Sequence, residues 1–207
     1  MVYLCAKFDY NRHTYLNSSL EGSGFLRVIA GSARRTNLIA PEGLNTRPTS
    51  DRAKESLFSI LADRICGAKV LDIFCGSGAI GIEALSRGAE KAVFVDESVA
   101  AIKATQANLN KTRLTTNAKV LQMKFDKAIQ TLEGQSFEII FLDPPYGTHL
   151  LTQTLEKLTQ IPLLVKNGIV IAETSTKENP EIPKEFTLES ARMYGNTKFL
   201  FLSTEAK

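Results

Sequence analysis

Histidine is scarce in this chain: His13 and His149 are the only two in 207 residues. A histidine-based metal site or a Ser-His-Asp triad has almost nothing to be built from. Cysteine is nearly as rare. Cys5, Cys66 and Cys75 are odd in number and lack metal-ligand spacing, which points to reduced thiols and no metal rather than to a disulfide framework. No apolar run approaches the roughly 18 residues that would span a bilayer. Residues 1–24 lack the apolar centre of a secretory signal. These absences together predict a cytoplasmic protein with no membrane partner. Internal repeats and low-complexity segments are also missing.

What is present is enough sequence for one α/β domain with a sizeable core and a modest appendage. The net charge of +3 is small but unevenly placed. Residues 27–54 carry Arg27, Arg34, Arg35, Arg47, Arg52 and Lys54 against Glu42 and Asp51, a local excess of four positive charges. From residue 65 onward the charges cancel, 16 against 16. A basic segment on a neutral body is what contact with a phosphate backbone needs. A solvated basic stretch is the alternative reading.

From residue 69 onward, short apolar runs alternate with helical patterns. Strands are predicted at Lys69–Phe74, Ala92–Asp96, Ala118–Met123, Phe137–Leu142 and Gly168–Glu173. Helices are predicted at Ile80–Arg87, Ser98–Lys111, Asp126–Leu132 and Leu150–Gln160. This alternation predicts right-handed βαβ crossovers and a mostly parallel sheet. Phe186–Ala191 and Thr197–Leu202, separated by Arg192–Asn196, predict an antiparallel hairpin at its edge. In the N-terminal third, Phe25–Ala30 and Thr36–Ile39 read as a small hairpin, followed by a loop and a helix from about Ser50 to Ile65. The expected division is an extension over 1–24, either a flexible tail or an overlong start, a basic RNA-facing hairpin and helix over 25–66, and the main α/β unit over 67–207.

Two motifs carry chemistry. Gly76, Gly78 and Gly81 match G-x-G-x-x-G between a predicted strand and helix, where small residues let backbone approach a nucleotide closely. Asp96, 20 residues after Gly76, ends the next strand and is placed to accept hydrogen bonds from ribose hydroxyls. Asp72, at the mouth of the loop, would attract an ammonium group and repel a pyrophosphate. That favours S-adenosylmethionine over a dinucleotide. Cys75 reads as a small packing residue, and His149 as a surface residue. The second motif is Asp143-Pro144-Pro145-Tyr146, directly after the run Phe137–Leu142. The Asp143 carboxylate and Pro144 carbonyl are acceptors for an exocyclic amine, and the Tyr146 face is a stacking surface. The prolines fix φ and donate no N–H. An Asp-Pro turn closing a strand is the plain alternative. Facing motifs at the ends of the first and fourth strands, neighbours across a topological switch point, favour chemistry.

The stretch Asp72–Gly78 resembles motif I of class I S-adenosylmethionine-dependent methyltransferases. Asp143-Pro144-Pro145-Tyr146 resembles the (Asn/Asp)-Pro-Pro-(Tyr/Phe) motif of amino-methyltransferases acting on adenine N6 or guanine N2. Arg47-Pro48-Thr49-Ser50-Asp51-Arg52-Ala53-Lys54-Glu55-Ser56-Leu57-Phe58 is similar to the signature of the bacterial 16S ribosomal RNA guanine-N2-methyltransferases of the RsmD type. Arg27–Gly31 and Leu85–Ala89 resemble that family too, so the likeness spans roughly residues 26–203. It implies a Rossmann-like class I methyltransferase sheet of seven strands. It also implies a monomer that flips one guanine of 16S rRNA, free or in a small-subunit particle, into its pocket. By resemblance, S-adenosylmethionine would be held by Asp72, Phe74, Cys75, Gly76, Ser77, Gly78, Asp96, Glu97, Phe125 and Asp126. Asp143, Pro144, Pro145 and Tyr146 would be catalytic, and Arg27, Arg34, Arg35, Arg47 and Arg52 would meet RNA. Two departures stand out. Arg35 occupies a position where the family usually has Gly. Lys124 stands at the usual adenine-contacting Asp or Asn, with Asp126 two residues on. An adenine-N6 methyltransferase, a nicotinamide-dependent oxidoreductase and a non-catalytic RNA-binding module remain alternatives.

Overall fold

The computed structural model describes residues 26–42 and 51–204. Phe25, Arg47, Ser50 and the proposed extension over 1–24 lie outside them. Seven strands form one sheet in the order β3-β2-β1-β4-β5-β7-β6. The parallel part comprises β1 (Lys69–Ile73), β2 (Lys91–Asp96), β3 (Ala118–Gln122), β4 (Phe137–Leu142) and β5 (Leu164–Ser175). β7 (Thr197–Thr204) runs antiparallel to both β5 and β6 (Phe186–Tyr194). Helices α3 (Ala79–Ser86), α4 (Val99–Thr112), α5 (Phe125–Thr131) and α6 (Leu150–Gln160) connect the parallel strands. Two shorter helices, α1 (Asp51–Ile60) and α2 (Ala62–Ile65), precede the sheet. Among the described residues no helix is long and apolar enough to cross a membrane.

Side chains alternate across a pleated strand, so each strand feeds two cores. Val70 of β1 and Ile139 and Phe141 of β4 join Phe58, Leu61, Ile82 and Phe94 on one face. Leu71, Ile73, Ile140 and Leu142 join Ile129 and Leu155 on the other. Helices cover both faces of the central strands, which explains why those strands read as continuous apolar runs.

Three expectations need correction in detail. The N-terminal arms pair as a short, irregular hairpin rather than as full strands: a single antiparallel bridge links Arg27 and Asn37, the Val28 N–H donates to the Thr36 carbonyl at 3.0 Å, the Arg35 N–H to the Val28 carbonyl at 2.9 Å and the Leu38 N–H to the Leu26 carbonyl at 2.6 Å. Other backbone groups of the segment reach α3: Ile29 and Ala30 donate to the Glu83 carboxylate at 2.7 and 3.0 Å, and Ala33 to the Ser86 hydroxyl at 2.9 Å. The segment is a strap laid on α3 rather than a free-standing hairpin. The following helix is interrupted at Leu61, whose ψ of 1° leaves the helical range while its side chain stays buried. The C-terminal hairpin turns through two residues, not five. Tyr194 pairs with Thr197, and of Gly195 and Asn196 only Gly195 has positive φ, 61°. That is the II′ pattern, which puts Gly first.

Candidate active site

β1 and β4 lie side by side at the centre of the sheet, with Ile73 opposite Leu142. The Asp143 N–H donates to the Ile73 carbonyl at 3.4 Å. The tetrapeptide and the glycine loop therefore flank one crevice where the strand order reverses, the usual ligand position in an open α/β sheet.

The glycine loop is held from behind. Thr105, on α4, donates its hydroxyl to the Gly76 carbonyl at 2.9 Å, and Asn108 Nδ2 donates to the Ser77 carbonyl at 2.9 Å. Gly78, with φ of 75°, has no room for a side chain: a Cβ there would stand 2.9 Å from Thr105 Cγ2. A Cβ on Gly76 would meet no protein atom within 4 Å, so the space above that residue is open. Phe74 takes a φ of 66°, a strained choice for a non-glycine residue that tends to mark functional loops. Asp96 accepts the N–H groups of Gly76 and Ser98, each at 2.9 Å, which fixes its carboxylate at the lip of the loop.

Asp72 lies beneath the loop, buried, and its Oδ2 accepts the Gly81 N–H at 3.0 Å. Desolvation raises its pKa to about 7; the Gly81 bond opposes the rise and the Asp96 charge adds to it. Cys75 is buried, with its sulfur 3.6 Å from the Thr105 hydroxyl. Desolvation and the Asp72 charge push the thiol up, so it stays neutral and fits the packing role read from the sequence.

A cavity of about 340 Å³ opens beside the loop, lined by Ile73, Phe74, Val95, Asp96, Glu97, Met123, Lys124, Phe125, Asp126, Leu150 and Gln153. The Phe74 and Phe125 rings stand 5.8 Å apart. Asp126 Oδ1 is buried without a hydrogen-bond partner. A buried carboxylate oxygen left unpaired costs roughly 1–3 kcal/mol or more, so this one is an acceptor open to any donor that enters the cavity.

The other side of the crevice is built by the tetrapeptide. Pro144 is buried, while Asp143, Pro145 and Tyr146 are exposed. A second cavity, about 380 Å³, is lined by Pro144, Pro145, Tyr146, Glu173 and Glu178 among others. The Tyr146 hydroxyl donates to Glu173 Oε1 at 2.9 Å, and the Thr197 hydroxyl reaches the same oxygen at 3.4 Å. Burial raises the Tyr146 phenol, as does the Glu173 charge. Asp143 is pushed well above the usual carboxylate range by desolvation, then by the charges of Glu173 and Asp72. The residue is exposed as a whole, and the charges of Glu173 and Asp72 act on its carboxyl from the neighbouring strands. His149 is exposed at the start of α6. Among the described residues no cluster of three or more His, Cys, Asp or Glu is arranged to hold a metal ion.

Of the basic residues, Arg34, Arg35 and Arg52 are exposed, and Arg27 is exposed with its Nε 2.8 Å from Asp51. Arg35 has a φ of 69°, the conformation glycine adopts freely. Three polar residues of consequence were missed from sequence: Glu173, Asn108 and Glu83, all buried. Each had a signal, a charged or amide side chain facing inward within an apolar strand or helix.

A family model described as conserved hypothetical protein 95 matches residues 26–203. The chain belongs to this family, the RsmD family. RsmD-family relatives include Bacillus subtilis YlbH, 37% identical over 175 residues, covering 83% of this chain and 95% of that protein. Ribosomal RNA small subunit methyltransferase D of Escherichia coli is 33% identical over 189 residues, covering 90% of this chain and 93% of that one. The solved structure of Escherichia coli yhhF has 33% identity and a TM-score of 0.76 over 87% of this chain and 98% of its own. The chain is thus a Rossmann-like methyltransferase of the S-adenosylmethionine-dependent class.

Proposed function

We propose that this protein methylates the exocyclic N2 amine of a guanine in 16S ribosomal RNA, as a cytoplasmic monomer acting during small-subunit biogenesis. One observation carries the reading: Asp143-Pro144-Pro145-Tyr146 leaves β4 next to the glycine loop that leaves β1, with Asp143 bonded to Ile73. The name of the Escherichia coli relative, a small-subunit ribosomal RNA methyltransferase, supports the RNA target.

The residues present fit the cofactor. The unpaired Asp126 oxygen in the 340 Å³ cavity suits the adenine amino group, which supports Asp126 as the stand-in for the family's usual residue at Lys124. Phe74 and Phe125 offer ring faces, and Asp96 and Glu97 offer acceptors for ribose hydroxyls. Asp72 supplies negative charge beneath the loop for an ammonium group. When bound, S-adenosylmethionine supplies an electrophilic methyl group, so the protein's task is orientation.

The guanine amine is a poor nucleophile because its lone pair is delocalised into the ring. Asp143 and the Pro144 carbonyl, accepting its two N–H bonds, would favour a pyramidal nitrogen with the lone pair aimed at the methyl. Asp143 need not be a strong base, since the alkylated amine is acidic and loses its proton readily. Extruding the base costs a few kcal/mol, which stacking on Tyr146 partly offsets. Guanine presents donors at both N1 and N2, whereas adenine pairs its amine with an acceptor at N1. Asp143, a carboxylate with two acceptor oxygens, suits the former.

The test is methylation of small-subunit RNA, with and without its ribosomal proteins, followed by mass spectrometry of the nucleosides. N2-methylguanosine is expected. N6-methyladenosine would replace this reading with the adenine alternative.

A further inference from the structure

Glu173 belongs to none of the sequence motifs, yet it is buried directly behind the tetrapeptide. It ends the run Ile169-Val170-Ile171-Ala172 of β5. Leu142 pairs with Ala172, so the next residues on the two parallel strands are Asp143 and Glu173. A carboxylate at the inner end of an apolar strand is costly unless its partners are fixed. Two of those partners are hydroxyls on separate elements, Tyr146 after β4 and Thr197 on β7, both donating to Oε1.

We infer that Glu173 is a positioning residue for methyl transfer: by holding the phenol hydroxyl it fixes the ring on which the target base stacks. This rests on the stacking role proposed for Tyr146. Tyr146 is 47% exposed, and its loop contains Gly147 with φ of 74°. The ring is about half covered, and its hydroxyl is held at the tip. Releasing that tip leaves the stacking face present but free to tilt, and misorientation in a near-attack geometry lowers turnover more than binding.

Glu173 also bears on the neighbouring acceptor. The charged groups acting on Asp143 are Glu173 from β5 and Asp72 from β1, and both raise its pKa in addition to desolvation. Removing the Glu173 charge without changing its shape should make Asp143 easier to ionise. The same change should lower the Tyr146 phenol, which Glu173 helps to raise. These two titrations report whether the Glu173 carboxylate carries its charge beside both groups, and the kcat comparison of single and double variants reports positioning.

The experiment compares wild type, Glu173→Gln, Tyr146→Phe and the double variant in methyl transfer to small-subunit RNA or particles across pH. Each single change is expected to lower kcat roughly five- to tenfold, the scale of one hydrogen bond, with the KM for S-adenosylmethionine unchanged. The double variant should be no worse than the poorer single variant, because both remove one interaction. The acidic limb of the kcat profile should move to lower pH in Glu173→Gln but not in Tyr146→Phe. Independently of turnover, the tyrosinate absorbance assigned by subtracting Tyr146→Phe should appear at lower pH in Glu173→Gln.

Fully additive losses, or an acidic limb and a phenol titration that both stay in place, would overturn the inference. If Glu173→Gln does not fold, Tyr146→Phe with wild-type kcat overturns it alone. Methylation of adenine instead of guanine would refute the substrate reading, and the same comparison of variants would still decide the role of Glu173.

Discussion

Asp72 has been kept at a position where its charge opposes folding. Its pKa is raised to about 7 by burial, above the ordinary value near 3.9. Below about pH 4 the group is protonated in both states and costs nothing. As pH rises towards 7, the unfolded chain ionises while the folded one holds its proton, and stability is lost across that window. A rise of that size corresponds to at most about 4 kcal/mol. Asp72→Asn keeps an acceptor for the Gly81 N–H and should therefore be more stable than wild type at pH 8, with the difference vanishing by pH 4. Thermal unfolding at the two pH values checks this; equal gaps would show that burial is not the cause. Binding of S-adenosylmethionine should weaken in the same variant if the charge is there for its ammonium. Asp143 invites the opposite separation. Asp143→Ala should cut methyl transfer by more than about a hundredfold, as loss of an oriented polar group does, and leave S-adenosylmethionine binding by calorimetry nearly intact. Near-normal turnover would sink the amine-holding role.

At the level of elements, α3 is the piece on which most else depends. Its N-terminus forms the cofactor loop, and its Glu83 anchors the strap. That carboxylate, fully buried, accepts Ile29 and Ala30 N–H groups and Arg87 Nε at 2.7 Å, and lies 3.8 Å from Lys54 Nζ. Lys54 is itself buried, and desolvation lowers its pKa against the opposing pull of Glu83. Glu83→Ala takes the nearest counter-charge from that lysine, which keeps the Arg27 carbonyl as acceptor, so it should cost about 3–5 kcal/mol, the range for half of a buried pair. Glu83→Gln should lose less. Urea midpoints measure both, and a loss below about 1 kcal/mol for the alanine variant would mean that the strap has other anchors. The sheet and its helices were legible because apolar runs of strand length alternate with helical patterns, as in Phe137–Leu142 and Leu150–Gln160. The hairpin's docking as a strap was not, because it depends on bonds from its backbone to side chains 53 and 54 residues away. The Lys54 and Phe58 positions of the family signature, read as part of an RNA-facing segment, turn out to pack on α3 and β4 through Glu83, Arg87 and Phe141.

For the molecule as a whole, the strap, α1 and the cofactor loop are one mechanical unit. Asn108 makes the junction: its Oδ1 accepts the Ile39 N–H at 2.7 Å, and its Nδ2 donates to both the Ile39 and Ser77 carbonyls at 2.9 Å. Arg27, Arg34, Arg35 and Arg52 of that unit are exposed and lie outside the cofactor cavity, so RNA affinity and cofactor affinity should be separable by mutation. Phosphate contacts reveal themselves through salt, since each one lost makes log K less steep in log[salt] by about 0.7 for single-stranded RNA. Arg34→Ala, Arg35→Gly and Arg52→Ala together should weaken RNA binding and flatten that slope by about 2. Glycine is the replacement at Arg35 because its φ of 69° would strain alanine. S-adenosylmethionine affinity in the triple variant should match wild type, since none of the three lines the cavity beside the glycine loop. A slope that does not change would make the basic segment a solvated face and move the RNA surface to another side of the crevice. Loss of cofactor binding as well would mean that the strap, through Asn108, sets the loop geometry more tightly than its exposed arginines suggest.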